Sequence, residues 1–176
     1  MKTRSAVALL SVVGLLACEP ILQPEVSAHN LAQGGGGGRI VELVTGSGQF
    51  TLGGKLRTFS FTAYNGADGT VGGRFQVKNR GFPSAGHGSL TCLTIKGNEA
   101  WVAGVFEKAD PPSVTGLAVG IRVVDRGQGS RSLPDQITQT LFPGFDQPGA
   151  AAKYCKDTPE TQALHDIEAG NIQIHQ

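Results

Sequence analysis

The strongest constraint on the fold is an alternation of apolar and polar residues with period two, repeated along most of the chain beyond residue 39. Successive side chains of an extended strand point to opposite faces, so each such run is a strand with one buried and one wet side. Across residues 56–63, Phe59, Phe61 and Ala63 share one face and Thr58, Ser60 and Thr62 the other. Across 70–78, Val71, Gly73, Phe75 and Val77 oppose Arg74, Gln76 and Lys78. The intervening Asn65-Gly66-Ala67-Asp68-Gly69 tolerates positive φ and joins the two as a hairpin. A second hairpin is expected from 89–96 and 99–106, which flank the two-residue loop Gly97-Asn98.

Further strands are expected at 39–44, 49–52, 115–124, 136–142 and, at the C-terminus, 171–175. One helix is expected at 159–169, with Thr158 as its N-cap, Leu164 and Ile167 on one side and Gly170 as its stop. This pattern predicts an all-β protein: a small antiparallel β-barrel of about eight strands with one short C-terminal helix. A two-sheet β-sandwich is the alternative. Consecutive hairpins, glycines inside strands (Gly72, Gly73, Gly104, Gly120) and a terminal strand placed to cover an edge favour the barrel.

The N-terminus has a different composition. Lys2 and Arg4 precede the uncharged run 6–17, AVALLSVVGLLA, which is an export signal too short for the ~20 residues of a membrane-spanning helix. The run ends in Leu15-Leu16-Ala17-Cys18, which resembles the lipobox of bacterial lipoproteins and marks Cys18 for lipidation. Cleavage after Ala28, giving a secreted protein, is the alternative. Residues 34–38 are five glycines, a flexible tether. The expected organisation is therefore a signal peptide at 1–17, a lipidated N-terminus and glycine tether at 18–38, and a single β domain at 39–176, anchored to the cell envelope through lipid.

With Cys18 acylated, Cys92 and Cys155 are the two cysteines left, and an oxidising compartment predicts their disulfide. Of 15 basic and 14 acidic residues, processing removes Lys2 and Arg4, leaving 13 against 14. The basic residues are scattered singly, which argues against nucleic acid as a partner.

The succession 54–63, Asp68-Gly69-Thr70, Gly97-Asn98 with Ala100 and Gly104, Val124-Asp125-Arg126-Gly127, Pro134-Asp135 and Gly170-Asn171-Ile172 resembles a family of uncharacterised bacterial exported β-rich proteins and lipoproteins. The resemblance covers about residues 46–175. It implies a small β domain outside the cytoplasm and supplies no activity, ligand or catalytic residue.

Local motifs for chemistry are sparse. The serines lack a nucleophile elbow, and Gly53-Gly54-Lys55-Leu56 lacks the Ser or Thr of a phosphate loop and leads into a strand. The histidines His29, His87, His165 and His175 are not at metal-ligand spacing from one another. The segment 125–135 has the Asp and Gly content of a calcium loop but not its ligand order, so Asp125 and Asp135 are read first as turn-forming residues. His87, Asp125 and Asp135 remain the candidate ligand or metal-binding side chains. No catalytic residue, resident metal or cofactor is assigned. The expected function is that of a monomeric, non-enzymatic binding module for a small apolar or glycan ligand. A barrel-scaffold enzyme with dispersed catalytic residues is the alternative. The two differ in what the barrel encloses: a roomy apolar interior suits the binder, and a buried ionisable group among Arg57, Arg74, Arg122 and His87 suits the enzyme.

Overall fold

Phenylalanines and aliphatic residues at every second position give the strands one strongly apolar face, and the sheet curls to bury it. The computed structural model describes residues 38–80, 83–128, 132–141 and 144–176. Nine strands are found among them: β1 (Ile40–Leu52), β2 (Lys55–Gly66), β3 (Val71–Asn79), β4 (Ala85–Lys96), β5 (Glu99–Asp110), β6 (Ala118–Val124), β7 (Gln136–Ile137), β8 (His165–Asp166) and β9 (Ala169–His175). One helix, α1 (Ala150–Asp157), lies between β7 and β8. The strands form one antiparallel sheet in the order β8-β7-β6-β5-β4-β3-β2-β1-β9, which gives an all-β, barrel-like fold. The expected signal segment, Cys18, His29 and most of the expected glycine tether lie outside the described residues.

β8 and β9 stand at opposite ends of the strand order, yet they are consecutive stretches of one C-terminal segment. That segment therefore touches both edges. His165 and Asp166 pair with β7, Ile167 N–H donates to the Asp135 carbonyl, and Glu168 N–H donates to the Gln49 carbonyl of β1. Ala169 to His175 then run antiparallel to β1, with Ile172 opposite Gly46.

The enclosed core holds Phe50, Phe59, Phe61, Phe75 and Phe106 with Val44, Val102, Val123, Ile137 and Ile172. Phe75 and Phe106 meet edge to face at 5.1 Å between ring centroids. Two glycines show why this core demands them. A Cβ on Gly46 would lie 2.5 Å from the Phe61 ring and 2.6 Å from Ile172 Cδ1, whereas one on Gly104 would strike the Ser89 carbonyl at 1.9 Å, beside the bulge between Leu90 and Cys92. The first makes room for side chains crossing the barrel, and the second for a close backbone approach.

Several expected elements change. Residues 39–44 and 49–52 belong to the single strand β1, because the intervening Thr45-Gly46-Ser47-Gly48 is extended and paired on both sides. The strand expected at 136–142 is regular only at Gln136–Ile137, though its backbone follows β6 further: Thr138 N–H donates to the Arg122 carbonyl, and Gly120 N–H to that of Thr140.

The helix at 159–169 is not formed. Helix α1 ends where that one was expected to begin, and Thr158 is its C-cap, left-handed at φ 45°, with its N–H donating to the Tyr154 carbonyl. Residues 165–166 are extended because they supply the last rung of the sheet, and His165 stacks on Phe50 at 5.5 Å. The helix forms instead over Ala-Ala-Ala-Lys-Tyr-Cys-Lys-Asp, whose alanines carry the highest helix propensity and whose small residues permit close docking. Ala150, Ala151, Tyr154 and Cys155 pack on Trp101, Ala103 and Ala118, which face outward from β5 and β6. The Cys92–Cys155 disulfide, with Cα atoms 6.2 Å apart, joins α1 to β4.

Candidate functional site

The barrel interior is filled. Its void, bounded by Phe59, Phe61, Phe75, Val102, Ile121 and Ile137 among others, is about 20 Å³, space for a single water. None of the four ionisable groups singled out above lies at its centre. Arg57 shares the inward face of β2 but stands near the strand's start, half-buried, its Nε without a hydrogen-bond partner. Arg122 is buried on the outside of the sheet, where Nε and Nη2 bond Glu99 Oε2 at 2.8 and 2.7 Å and the guanidinium lies over the Trp101 ring. Arg74 and His87 are exposed on the outer face.

Asp125 and Asp135 come together, and what they hold is the backbone of β9. Asp125 Oδ1 accepts the Gly127 N–H at 2.8 Å, an Asx turn, while Oδ2 accepts the Ile174 N–H at 3.1 Å. Asp135 Oδ1 accepts the Arg126 N–H at 2.8 Å and Oδ2 the Ile172 N–H at 2.7 Å. Donors two residues apart on an antiparallel strand point to the same side, here the edge of β9 turned away from β1. Two carboxylates thus take the place of a neighbouring strand, and every oxygen of the pair already serves a backbone N–H.

His87 is elsewhere, on the outer face of β4 opposite Gln76, so the three candidate ligand residues do not form one site. Among the described residues no three His, Cys, Asp or Glu side chains are grouped to hold a metal ion. Cys92 and Cys155 are bonded to each other and carry no free thiol.

A trough of about 680 Å³ lies across the outer face of β9, β1, β2, β3 and β4. Strand register places two polar rows in it. One runs Asn171, Ser47, Ser60, Gln76, His87. The other runs Gln173, Thr45, Thr62, Arg74 and continues to Ser89, which lies beyond the trough's lining. In both, the central strands β1 and β2 carry short hydroxyl side chains while long amide, guanidinium or imidazole side chains rise on the flanks, so side-chain length itself produces the hollow. At about 4.8 Å per strand the floor spans about 19 Å. None of the hydroxyl, amide or imidazole side chains of these rows hydrogen-bonds another described residue, and Arg74 has only a 3.8 Å ion pair to the exposed Glu107.

Ser60, Thr62, Arg74, Gln76, Asn171 and Gln173 were legible as polar positions of expected strands, whereas Thr45, Ser47 and His87 lay outside them. Their convergence was not, because it depends on β9 pairing with β1, a partnership between the two ends of the domain. Trp101 and Tyr154 are sealed beneath and within α1 at 1% and 3% exposure, so neither faces the trough. Burial pushes the Tyr154 hydroxyl up to about 12, offset in part by the Thr138 hydrogen bond and the Arg122 charge. No family model, curated protein or solved structure matches the chain.

Proposed function

We propose that the protein is a cell-envelope lipoprotein, held by lipid on Cys18, whose β domain is a non-enzymatic binding module with its ligand site in the outer trough. The observation that carries the reading is the trough: about 680 Å³ bounded by hydroxyl and amide groups with no partners among the described residues, beside an interior with room for one water. Buried or paired polar groups are the rule in a fold's own architecture, so a set left unpaired on a concave surface is available for a ligand. The export signal, the Leu-Leu-Ala-Cys lipobox and the glycine tether support display from a membrane.

A thermal-shift panel of glycans, peptides and amphiphiles on the purified full-length protein tests the module, alongside metal analysis and a hydrolase panel. Saturable binding that Ser60→Trp abolishes is expected. Turnover lost in His87→Ala, or a stoichiometric metal, overturns it in favour of the enzyme. For the anchor, globomycin treatment or Cys18→Ser leaves unprocessed precursor; a mature N-terminus at His29 refutes lipidation.

A further inference from the structure

We infer that the trough takes a carboxylated oligosaccharide, with hydroxyl and amide side chains reading its hydroxyls and Arg74 its carboxylate. This rests on the binding-module reading and narrows it to a ligand class. The first argument is the donor set. Ser47, Ser60, Thr45 and Thr62 each offer a hydroxyl that both donates and accepts, and Asn171, Gln173 and Gln76 each offer an amide with both functions. A ligand matching such a surface must itself carry many groups that donate and accept, spread over much of a floor about 19 Å across. A chain of hydroxylated rings does so, its apolar ring faces suiting the Phe61 and Phe75 positions that also line the trough; a wholly apolar ligand would strip water from the polar groups and return no hydrogen bond.

The second argument is charge, and it is one-sided. Outward positions alternate along β3, so Arg74, Gln76 and Lys78 form one ridge, all exposed. Beyond it stand His87 on β4 and, opposite His87 in register, Lys108 on β5. Against Arg74, Lys78 and Lys108 the same flank offers two carboxylates: Asp110, which accepts the Ser84 hydroxyl, and Glu107, whose contact to Arg74 is long at 3.8 Å, between side chains 82% and 45% exposed. Such a pair is weak, so the guanidinium retains its fork of donors for a bidentate carboxylate. The opposite flank, Asn171 and Gln173, is uncharged, and the floor holds no carboxylate. The trough is thus neutral and hydroxyl-rich on one side and cationic on the other.

Tetragalacturonate and its methyl ester separate the two contributions, because they share every ring hydroxyl and differ in the carboxylates. Isotope-labelled full-length protein is titrated with each while backbone amide shifts are followed. The acid is expected to move amides of β9, β1, β2 and β3, to bind at least about tenfold more tightly than the ester, and to weaken as salt rises. Arg74→Ala should remove that preference, Arg74→Lys should retain part of it, and Ser60→Trp should block both ligands without changing the melting temperature by more than a few degrees. Equal affinity for acid and ester at the trough amides would keep the binding module and overturn the carboxylate inference. No response of those amides to either ligand would overturn the inference as well, while the module then stands or falls by the wider panel.

Discussion

On β4, β5 and β6 the outward positions include Cys92, Trp101, Ala103 and Ala118, and a helix lies over them. On β9, β1, β2 and β3 they include Asn171, Gln173, Thr45, Ser47, Ser60, Thr62, Arg74 and Gln76, and no described element covers these. The inner faces of both halves contribute to one apolar core, so the difference lies chiefly in the second side of each strand. Small and aromatic outward residues let α1 approach closely, and every residue of β6 is buried as a result. Hydroxyls and amides leave the other half wet. A one-sided apolar strand thus curls the sheet around a core, and the composition of its outer side decides whether that surface becomes a second core or stays open.

The covered half depends on its staple. A helix of eight residues is marginal alone, and its docking brings the Cys92–Cys155 bond across a sequence separation of 63. On the chain-entropy model a loop of that length contributes about 4 kcal/mol. Replacing both cysteines by serine should lower unfolding free energy by about that amount in denaturant titrations. It should also strip amide-exchange protection from α1 before β1, β2 or β3. Unchanged denaturant midpoints, or simultaneous loss in both halves under native conditions, would show that the covered half has no separate dependence on the bond.

The two halves meet at the carboxylate seam, where the expected effect is somewhat smaller. Asp135 is 5% exposed and receives two backbone N–H donors, so Asp135→Ala leaves both unsatisfied and should cost about 3 kcal/mol. Asp125 receives two as well but is half-exposed, where water can substitute, and Asp125→Ala should cost about 1 kcal/mol. Equal losses at the two positions would argue that burial does not set the strength of the seam.

Alkali discriminates the halves through Tyr154. Burial under the covered half raises its hydroxyl to about 12 from an ordinary value of 10. The protonated phenol is therefore favoured by the fold. Its contribution is fully present below pH 10 and disappears as pH climbs from 10 through 12, by up to about 2 to 3 kcal/mol. Comparing denaturant stability at pH 9 and pH 11.5 should show this decline in the native chain and a shallower one in Tyr154→Phe. Equal slopes would assign the alkaline loss elsewhere.

The alternation of Phe59, Phe61 and Ala63, the Gly97-Asn98 turn and the terminal Ile172 strand were legible because each is encoded within a dozen residues. Thr45-Gly46-Ser47-Gly48 was not, since it reads as a turn. It is a strand because Phe61 and Ile172 need the space inside it, a requirement imposed from residues far away in sequence. Helix α1 escaped detection for a related reason: its buried face is alanine and cysteine, which give little apolar periodicity, and only the matching alanines on β5 and β6 make that face cohesive. For Asp125 the turn oxygen was legible, two residues from its donor, and the second oxygen, which reaches across 49 residues to Ile174, was not.

The smallest predicted effect tests the comparison most closely, because it uses one residue type in both halves. Thr138 is fully buried under the covered half, and its Oγ1 accepts the Arg122 N–H at 3.0 Å. Removing that oxygen leaves a buried donor unpaired, so Thr138→Ala should destabilise by about 2 kcal/mol. Thr62 stands on the trough floor between Thr45 and Arg74, half-exposed, its hydroxyl bonded to no described residue. There the native chain and the unfolded chain both satisfy the hydroxyl with water. Thr62→Ala should therefore change stability by less than about 0.5 kcal/mol, most of it from lost strand propensity. On the proposed binding role the same variant should weaken binding in the trough. Were Thr62→Ala to cost as much as Thr138→Ala, the open face would be structural after all, and the distinction between the two halves would fail.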